Sequence, residues 1–379
     1  MNSSNFIQRA LELGYSNLGN VSPNPSVGVV IVKNNQIIAE GITQPPGSDH
    51  AEINAIKKCT KEQLNGTSLY LTLEPCCHTN KRTPPCTVKL IKSGIKEVII
   101  GTTDKNPAVA HNGINTLNSA GIKTTLLNDK SCEKLHEFFF HWITTKRPFV
   151  TIKAALTKNY FMTWGDGIRK KITDETASAK VHELRRQHDA ILIGINTLLK
   201  DDPQLNVRLV TGRNPLKIVL DSILQTPLNA RIFNDGKTII YCSAKADKNK
   251  LNELSTKCDI VQVPESNNRL NLSDVLIDLG KRHITSVLVE GGVQVIESFI
   301  KQNLANKCIF FITNETPADG KGYIGKKINY HNNLAYIPAE FTNLDPNIKF
   351  RSYIPVNQLK LKGKTTQIIG NSTMIEGYL

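Results

Sequence analysis

His50-Ala51-Glu52, followed by Leu73-Glu74-Pro75-Cys76-Cys77-His78-Thr79-Asn80-Lys81-Arg82-Thr83-Pro84-Pro85-Cys86, is the stretch on which the reading of this chain turns. One imidazole (His50) and two thiolates (Cys76 and Cys86) make three protein ligands for Zn2+ and leave the fourth tetrahedral position to water. That is the layout of a catalytic site and not of a closed structural one. A metal so held lowers the pKa of its water toward about 7 and makes hydroxide available at neutral pH. Glu52 stands two residues from His50 at the start of the same helix, where it can shuttle a proton without occupying the metal.

Each half of this pattern is weak alone, since H-x-E is common and a Pro-Cys pair also occurs as a buried thiol at a strand end. Together, H-x-E opening a helix and Pro-Cys ending the next strand about 25 residues on favour the catalytic reading. They resemble the zinc-deaminase signature, H-x-E followed by P-C-x-x-C, although the second cysteine here lies further on. Cys77 and His78 are ambiguous by position; Cys76, directly after Pro75, is favoured over Cys77. Cys59, Cys132, Cys242, Cys258 and Cys308 have no partner at ligand spacing and read as ordinary thiols.

Working outward, 379 residues exceed one ordinary domain, with 40% hydrophobic and 21% charged residues, so two globular domains are expected. No apolar run approaches the roughly 18 residues of a membrane span. Met1–Asn5 lacks the basic flank and apolar stretch of a secretory signal, so a cytoplasmic protein is expected, its eight cysteines being thiols or metal ligands. The formal charge of +14 suits an acidic partner, but the lysines are spread along the chain without the dense block of a nucleic-acid arm.

Apolar and turn patterns alternate between helix and strand throughout, which argues α/β. The first half reads as a helix carrying Phe6, Ile7, Ala10 and Leu11, then a hairpin of Val27–Val32 and Ile37–Gly41 about Asn34-Asn35. A helix over 50–60, a strand Leu69–Leu73, a helix over 84–93 ended by Gly94, a strand Glu97–Gly101, a helix over 112–120 and a strand over 123–127 follow. One last helix starts near 131 and carries Leu135, Phe138, Phe139 and Trp142. Thr144–Pro148 interrupts the pattern and separates domains at 1–146 and 147–379. The second domain has strand candidates Phe149–Ile152, Ala190–Ile193, Lys217–Leu220, Thr238–Tyr241, Ile260–Val263, Ser286–Val289 and Cys308–Ile312.

The interval closed by Thr83-Pro84-Pro85-Cys86, with Pro23-Asn24-Pro25-Ser26-Val27-Gly28 upstream, resembles the bifunctional deaminase/reductase family of riboflavin biosynthesis, whose segment typically runs P-C-x-H-x-G-[RK]-T-P-P-C. The second half matches it at Ile172-Thr173, Leu184-Arg185, Ile193–Thr197, Asp201–Arg208, Leu220-Asp221-Ser222 and Val289-Glu290-Gly291-Gly292. The resemblance implies an N-terminal cytidine-deaminase-like three-layer domain and a C-terminal dihydrofolate-reductase-like domain. It also implies Zn2+ and NADPH as cofactors, and a diaminopyrimidinone carrying a ribosylamino 5-phosphate as substrate. Carried over residue by residue, it places Asn24, Arg169, Arg185, Leu205, Arg208 and Glu290 on the substrate. It places Ala155, Lys171, Thr197, Asp201, Ser222, Gly291 and Gly292 on the dinucleotide. A homo-oligomer without membrane or nucleic-acid partners is expected.

Three departures bear on this expectation. The segment between the thiolates has an extra residue and lacks the glycine; Thr157-Lys158-Asn159-Tyr160 stands where the family usually has S-L-D-G; and Lys171 replaces a tryptophan. A deaminase with a silent reductase-like half is therefore the principal rival. A tRNA-type deaminase and a non-catalytic zinc protein are the others.

Overall fold

In the computed structural model of the protein, residues 3–78, 84–162, 171–315, 328–330, 333–335, 354 and 356–379 are described. They divide into two compact units, 1–149 with 277–286, and 150–276 with 287–379.

The first unit runs α1 (Ser3–Asn17), β1 (Gly28–Lys33), β2 (Gln36–Ile42), α2 (Ala51–Ile56), α3 (Lys61–Leu64), β3 (Ser68–Leu71), α4 (Cys86–Ser93), β4 (Glu97–Ile100), α5 (Asn112–Ser119), β5 (Lys123–Leu126), α6 (Lys130–Leu135) and α7 (Glu137–Thr145). Its sheet has the order β2-β1-β3-β4-β5, antiparallel around β1 and parallel from β3 to β5. Side chains alternate across a strand, so the sheet builds a core on each face. Val29, Ile31, Leu69, Leu71, Val98 and Ile100 meet Ala51, Ala55, Leu90 and Leu117 of α2, α4 and α5. Val30, Val32, Tyr70 and Ile99 meet Phe6, Ile7, Ala10 and Leu11 of α1 and Cys132 and Leu135 of α6. These are the three layers expected. The β1–β2 hairpin turns at Asn34 and Asn35, both left-handed (φ 48° and 61°), as a two-residue turn matching strand twist requires. At Gly28 a Cβ would overlap the Ala10 carbonyl, so only glycine lets α1 lie this close to β1.

The second unit runs β6 (Phe149–Leu156), α8 (Glu175–Gln187), β7 (Ala190–Gly194), α9 (Ile195–Asp201), β8 (Leu216–Leu220), β9 (Thr238–Cys242), α10 (Lys248–Ser255), β10 (Asp259–Gln262), β11 (Glu265–Ser266), β12 (Arg269–Leu270), α11 (Leu272–Lys281), β13 (Ser286–Val289), α12 (Val293–Lys301), β14 (Lys307–Thr313), β15 (Ile328–Tyr330), β16 (Asn333–Ala335), β17 (Lys362–Ile369) and β18 (Ser372–Tyr378). Residues 277–281 of α11 and Ser286 of β13 cluster with the first unit. Nine strands form one sheet, β10-β9-β8-β7-β13-β6-β14-β18-β17. The β10–β9, β9–β8, β8–β7, β7–β13 and β6–β14 pairs are parallel, whereas β18 is antiparallel to both β14 and β17. Both units are α/β, as the sequence pattern requires.

Three elements differ from the sequence reading. The helix expected over 50–60 ends at Ile56, because Thr60 and Gln63 form a capping box that starts α3. The helix expected from 131 is two helices, broken at His136, whose backbone (φ −98°, ψ 8°) leaves the helical region. The terminal hairpin β17–β18 was not anticipated: β17 is exposed almost throughout, so Lys362–Ile369 carries no apolar alternation to read.

Candidate functional site

His50 is the N-cap of α2, and Cys86 is the first residue of α4, behind the two prolines suited to a helix start. Cys76 lies in the loop after β3. The three converge: His50 Nδ1 is 3.5 Å from Cys76 Sγ and 3.3 Å from Cys86 Sγ, and the donor atoms all lie within 4.8 Å of one another. A tetrahedral zinc with bonds of about 2.0 Å to nitrogen and 2.3 Å to sulfur sets such atoms about 3.5 Å apart. The side chains are thus spaced as ligands. The Cys86 N–H donates to Cys76 Sγ at 3.3 Å, which favours the thiolate, as does the positive end of α4. Among the described residues no other group of three His, Cys, Asp or Glu donors gathers in this way. Cys77 Sγ lies instead 3.8 Å from the Ala108 carbonyl oxygen.

Glu52, in the first turn of α2, is only 4% exposed, too deep for a solvated surface carboxylate. Burial raises its pKa, and the Cys76 thiolate pushes the same way while His50 opposes. Thr79–Arg82, with the extra residue, and Arg169 lie outside the described residues. Asn24 is half-buried in the turn preceding β1. Burial pushes the Cys132 and Cys308 thiols up to about 12 and Cys258 up to about 11, leaving them unreactive near neutrality.

Glu74 has a role that sequence reasoning missed. Its buried carboxylate accepts four backbone N–H groups, from Asp104 (3.2 Å), His111 (3.1 Å), Gly113 (3.0 Å) and Ile114 (3.2 Å). It thereby ties the N-terminus of α5 to the loop that presents Cys76 two residues later. Gly113 belongs to the same arrangement, since a Cβ there would overlap the Pro75 carbonyl. In Glu74→Gln the amide NH2 faces N–H donors it cannot accept, which is expected to cost about 1–3 kcal/mol. Chemical denaturation would show that loss, and metal analysis a lowered zinc content.

In the second unit a cleft of about 640 Å3 opens at the carboxyl ends of β7, β8 and β13, between α9 and α12. Of the residues expected on the dinucleotide, Thr197, Asp201, Ser222, Gly291 and Gly292 line it, and so does Glu290. Gly194 and Gly292 are the N-caps of α9 and α12, and neither helix start carries a side-chain cap. The Gly292 N–H donates to Thr197 Oγ1 at 3.1 Å, while a Cβ on Gly291 would crowd Val295. Amides at a helix start beside glycines fit a dinucleotide diphosphate. Ala155, in β6, and Lys171, exposed, are not among the lining residues.

Arg185 grips Glu290 with two hydrogen bonds, 2.7 and 2.9 Å, and donates a third to the Asn206 carbonyl at 3.2 Å. Arg208 donates to the Asn206 side chain at 2.8 Å, and its N–H to His182 Nδ1 at 3.1 Å, so Arg185, Arg208 and Glu290 gather about one loop. Leu205 is buried in the neighbouring core with a left-handed backbone (φ 53°). Lys153, which the sequence offers only as one of the lysines dispersed over a solvated surface, instead lies 3.5 Å from Glu290 and is almost as buried. Burial and the adjoining Arg185 and Arg208 push His182 down to about 4. Tyr160 keeps the left-handed backbone (φ 66°) that glycine would supply, at a cost of about 1–2 kcal/mol. Its hydroxyl donates to Asn357 at 3.0 Å, and its carbonyl accepts the Ile354 N–H at 3.1 Å.

Comparison with known proteins is consistent with both halves. Residues 1–102 match the cytidine and deoxycytidylate deaminase zinc-binding region, and residues 148–314 match the RibD C-terminal domain. The riboflavin biosynthesis protein RibD of Actinobacillus pleuropneumoniae is 39% identical over 335 residues, covering 85% of this chain and 88% of that protein. That of Bacillus amyloliquefaciens is 38% identical over 311 residues, covering 81% and 83%. A crystal structure of a diaminohydroxyphosphoribosylaminopyrimidine deaminase/5-amino-6-(5-phosphoribosylamino)uracil reductase from Thermotoga maritima superposes with a TM-score of 0.78 at 33% identity, covering 99% of this chain and 97% of its own. With these matches spanning the zinc donors and the cleft alike, the chain belongs to the RibD family of riboflavin biosynthesis proteins.

Proposed function

We propose that the chain catalyses two steps of riboflavin biosynthesis, a zinc-dependent deamination of a diaminopyrimidinone ribosylamino 5-phosphate followed by NADPH-dependent reduction of its ribosyl group to ribityl. The observation that carries the first step is the convergence of His50, Cys76 and Cys86 beside a buried carboxylate that is not itself a ligand. Zinc supplies Lewis acidity that makes a water nucleophilic at neutral pH. Glu52 takes the proton from the attacking water and delivers it to the departing amine, and Asn24 contacts the base.

For the second step NADPH supplies the hydride, and the chain's part is to bind and orient. Thr197, Asp201, Ser222, Gly291 and Gly292 hold the dinucleotide from the cleft, and Ala155 and Lys171 are the further contacts that the family resemblance implies. Arg169, Arg185, Leu205, Arg208 and Glu290 form the substrate side, where cations outnumber the one carboxylate and so suit a phosphate. That five of the seven residues expected on the dinucleotide line the cleft, together with the retained backbone at Tyr160, favours a working reductase over a silent one.

Purified protein given the diaminopyrimidine substrate is expected to release ammonia, and given the deaminated substrate to oxidise NADPH. Ammonia release without NADPH consumption would leave a deaminase alone. We also infer a homo-oligomer, supported by the exposed edge strand β17 with Ile368 80% exposed, to be checked by analytical ultracentrifugation. Among the described residues no helix is long and apolar enough to cross a membrane, and none of the eight cysteines forms a disulfide. The thiols support a reducing, cytoplasmic setting.

A further inference from the structure

We propose that Arg269 is the residue by which the cleft distinguishes a dinucleotide bearing a 2′-phosphate from one that lacks it; the inference rests on the reductase reading above. Lys200 and Arg269 are the cationic side chains among the described lining residues. Arg269 donates a 3.0 Å hydrogen bond to Ser298 Oγ, and among the described residues no carboxylate lies within ion-pair distance of it. Glu265, on the same hairpin, pairs with Lys245 instead. At the other end of the cleft, by contrast, Glu290 is met by Arg185 and Lys153. Arg269 therefore brings an uncompensated, accessible guanidinium to a concave surface.

A tight hairpin presents it. Ser266 pairs with Arg269 and Glu265 with Leu270 across a two-residue turn whose centres, Asn267 and Asn268, are both left-handed (φ 52° and 57°). Leu270, next to Arg269, is buried and anchors the hairpin. Ser298 lies five residues beyond Val293, so Arg269 reaches α12 about 7–8 Å from its N-terminus. An anion at that depth is beyond the first turn, where the helix amides and dipole act. The diphosphate belongs at the Gly291-Gly292 end, and a second phosphate further along the groove would meet Arg269. Ser222, whose hydroxyl meets no other protein group among the described residues, adds a neutral donor to the cleft, while Leu220, Leu270 and Leu272 offer an apolar wall to adenine. A 2′-phosphate is a monoester with about −1.5 to −2 charge near neutrality, and a planar guanidinium matches it in two-pronged fashion.

Calorimetric titration of the full chain with NADPH, NADH, adenosine 2′,5′-bisphosphate and adenosine 5′-phosphate tests this without turnover. In Arg269→Leu, NADPH and the bisphosphate are expected to bind roughly 10- to 100-fold more weakly, and NADH and the monophosphate to change by less than about 2-fold. Arg269→Lys, keeping the charge without the fork, should recover part of the loss. Equal weakening of both dinucleotides would put Arg269 on the diphosphate and overturn the proposal, as would an unchanged NADPH affinity. If the unaltered protein binds neither dinucleotide, the reductase reading itself fails.

Discussion

Glu52→Gln is expected to slow ammonia release by roughly 10²–10⁴-fold, the range that a positioned proton-transfer group contributes. The substitution keeps the size of the side chain and removes its ability to take a proton, so the packing of α2 is preserved. Glu52 is not one of the three converging donors, so zinc content is expected to stay at the level of the unaltered protein. NADPH oxidation with the deaminated substrate is expected to persist, because the cleft is lined entirely from the second unit. Ammonia assay, metal analysis and NADPH absorbance together check the prediction. A variant that loses its zinc along with its activity would make Glu52 a ligand or a support, not a shuttle.

Breaking the cluster around Glu290 is expected to give the largest change in stability. Lys153, Arg185 and Glu290 bury two cations with one anion, so what each removal leaves behind decides its cost. Arg185→Met leaves the Lys153–Glu290 pair, whereas Glu290→Met leaves two buried cations without their carboxylate. Stranding a buried charge costs about 3–5 kcal/mol, and Glu290→Met is expected to reach that range, with Arg185→Met below it. Denaturant unfolding of both variants would give the order; the reverse order would mean that Lys153 and Arg185 do not repel through the site.

The pH dependence has a definite sign. Burial tends to raise the Glu290 pKa, but Arg185 and Lys153 outweigh it and bring the carboxyl down to about 2. A depressed carboxyl stabilises the fold above its ordinary pKa of 4.5, and that contribution fades as pH falls toward about 2. The difference between Arg185→Met and the unaltered protein is therefore expected to shrink between about pH 4.5 and 2, as the native pair titrates away.

What could be read from the sequence was what neighbouring residues encode. H-x-E, Pro-Cys and the two prolines before Cys86 are local devices, and each marks the helix start or strand end where its residue stands. The Asn34-Asn35 turn and the left-handed Gly94 that ends α4 were legible for the same reason. Partnerships at long range were not. Lys153 sits in an otherwise uncharged strand because Glu290 waits 137 residues later, and nothing near Lys153 announces that partner. Lys217 is fully enclosed in β8, with its ammonium on Asp235 and the Ile232 carbonyl. A sequence pattern reads such a lysine as an edge or a surface residue. Glu74 had the most accessible signal of those missed: a carboxylate directly before Pro-Cys, at a strand end, has little reason to be there unless backbone amides converge on it. Arg269 had none, since the short β11–β12 hairpin becomes meaningful only when it is seen against α12.

The four amides gathered by Glu74 come from chain segments separated by up to ten residues, and none of them depends on a metal ion. One of the three zinc donors is thus presented by a loop that the polypeptide organises on its own. Withdrawal of the metal by a chelator is therefore expected to leave the backbone around Cys76 in place, which amide hydrogen exchange over 104–114 would check.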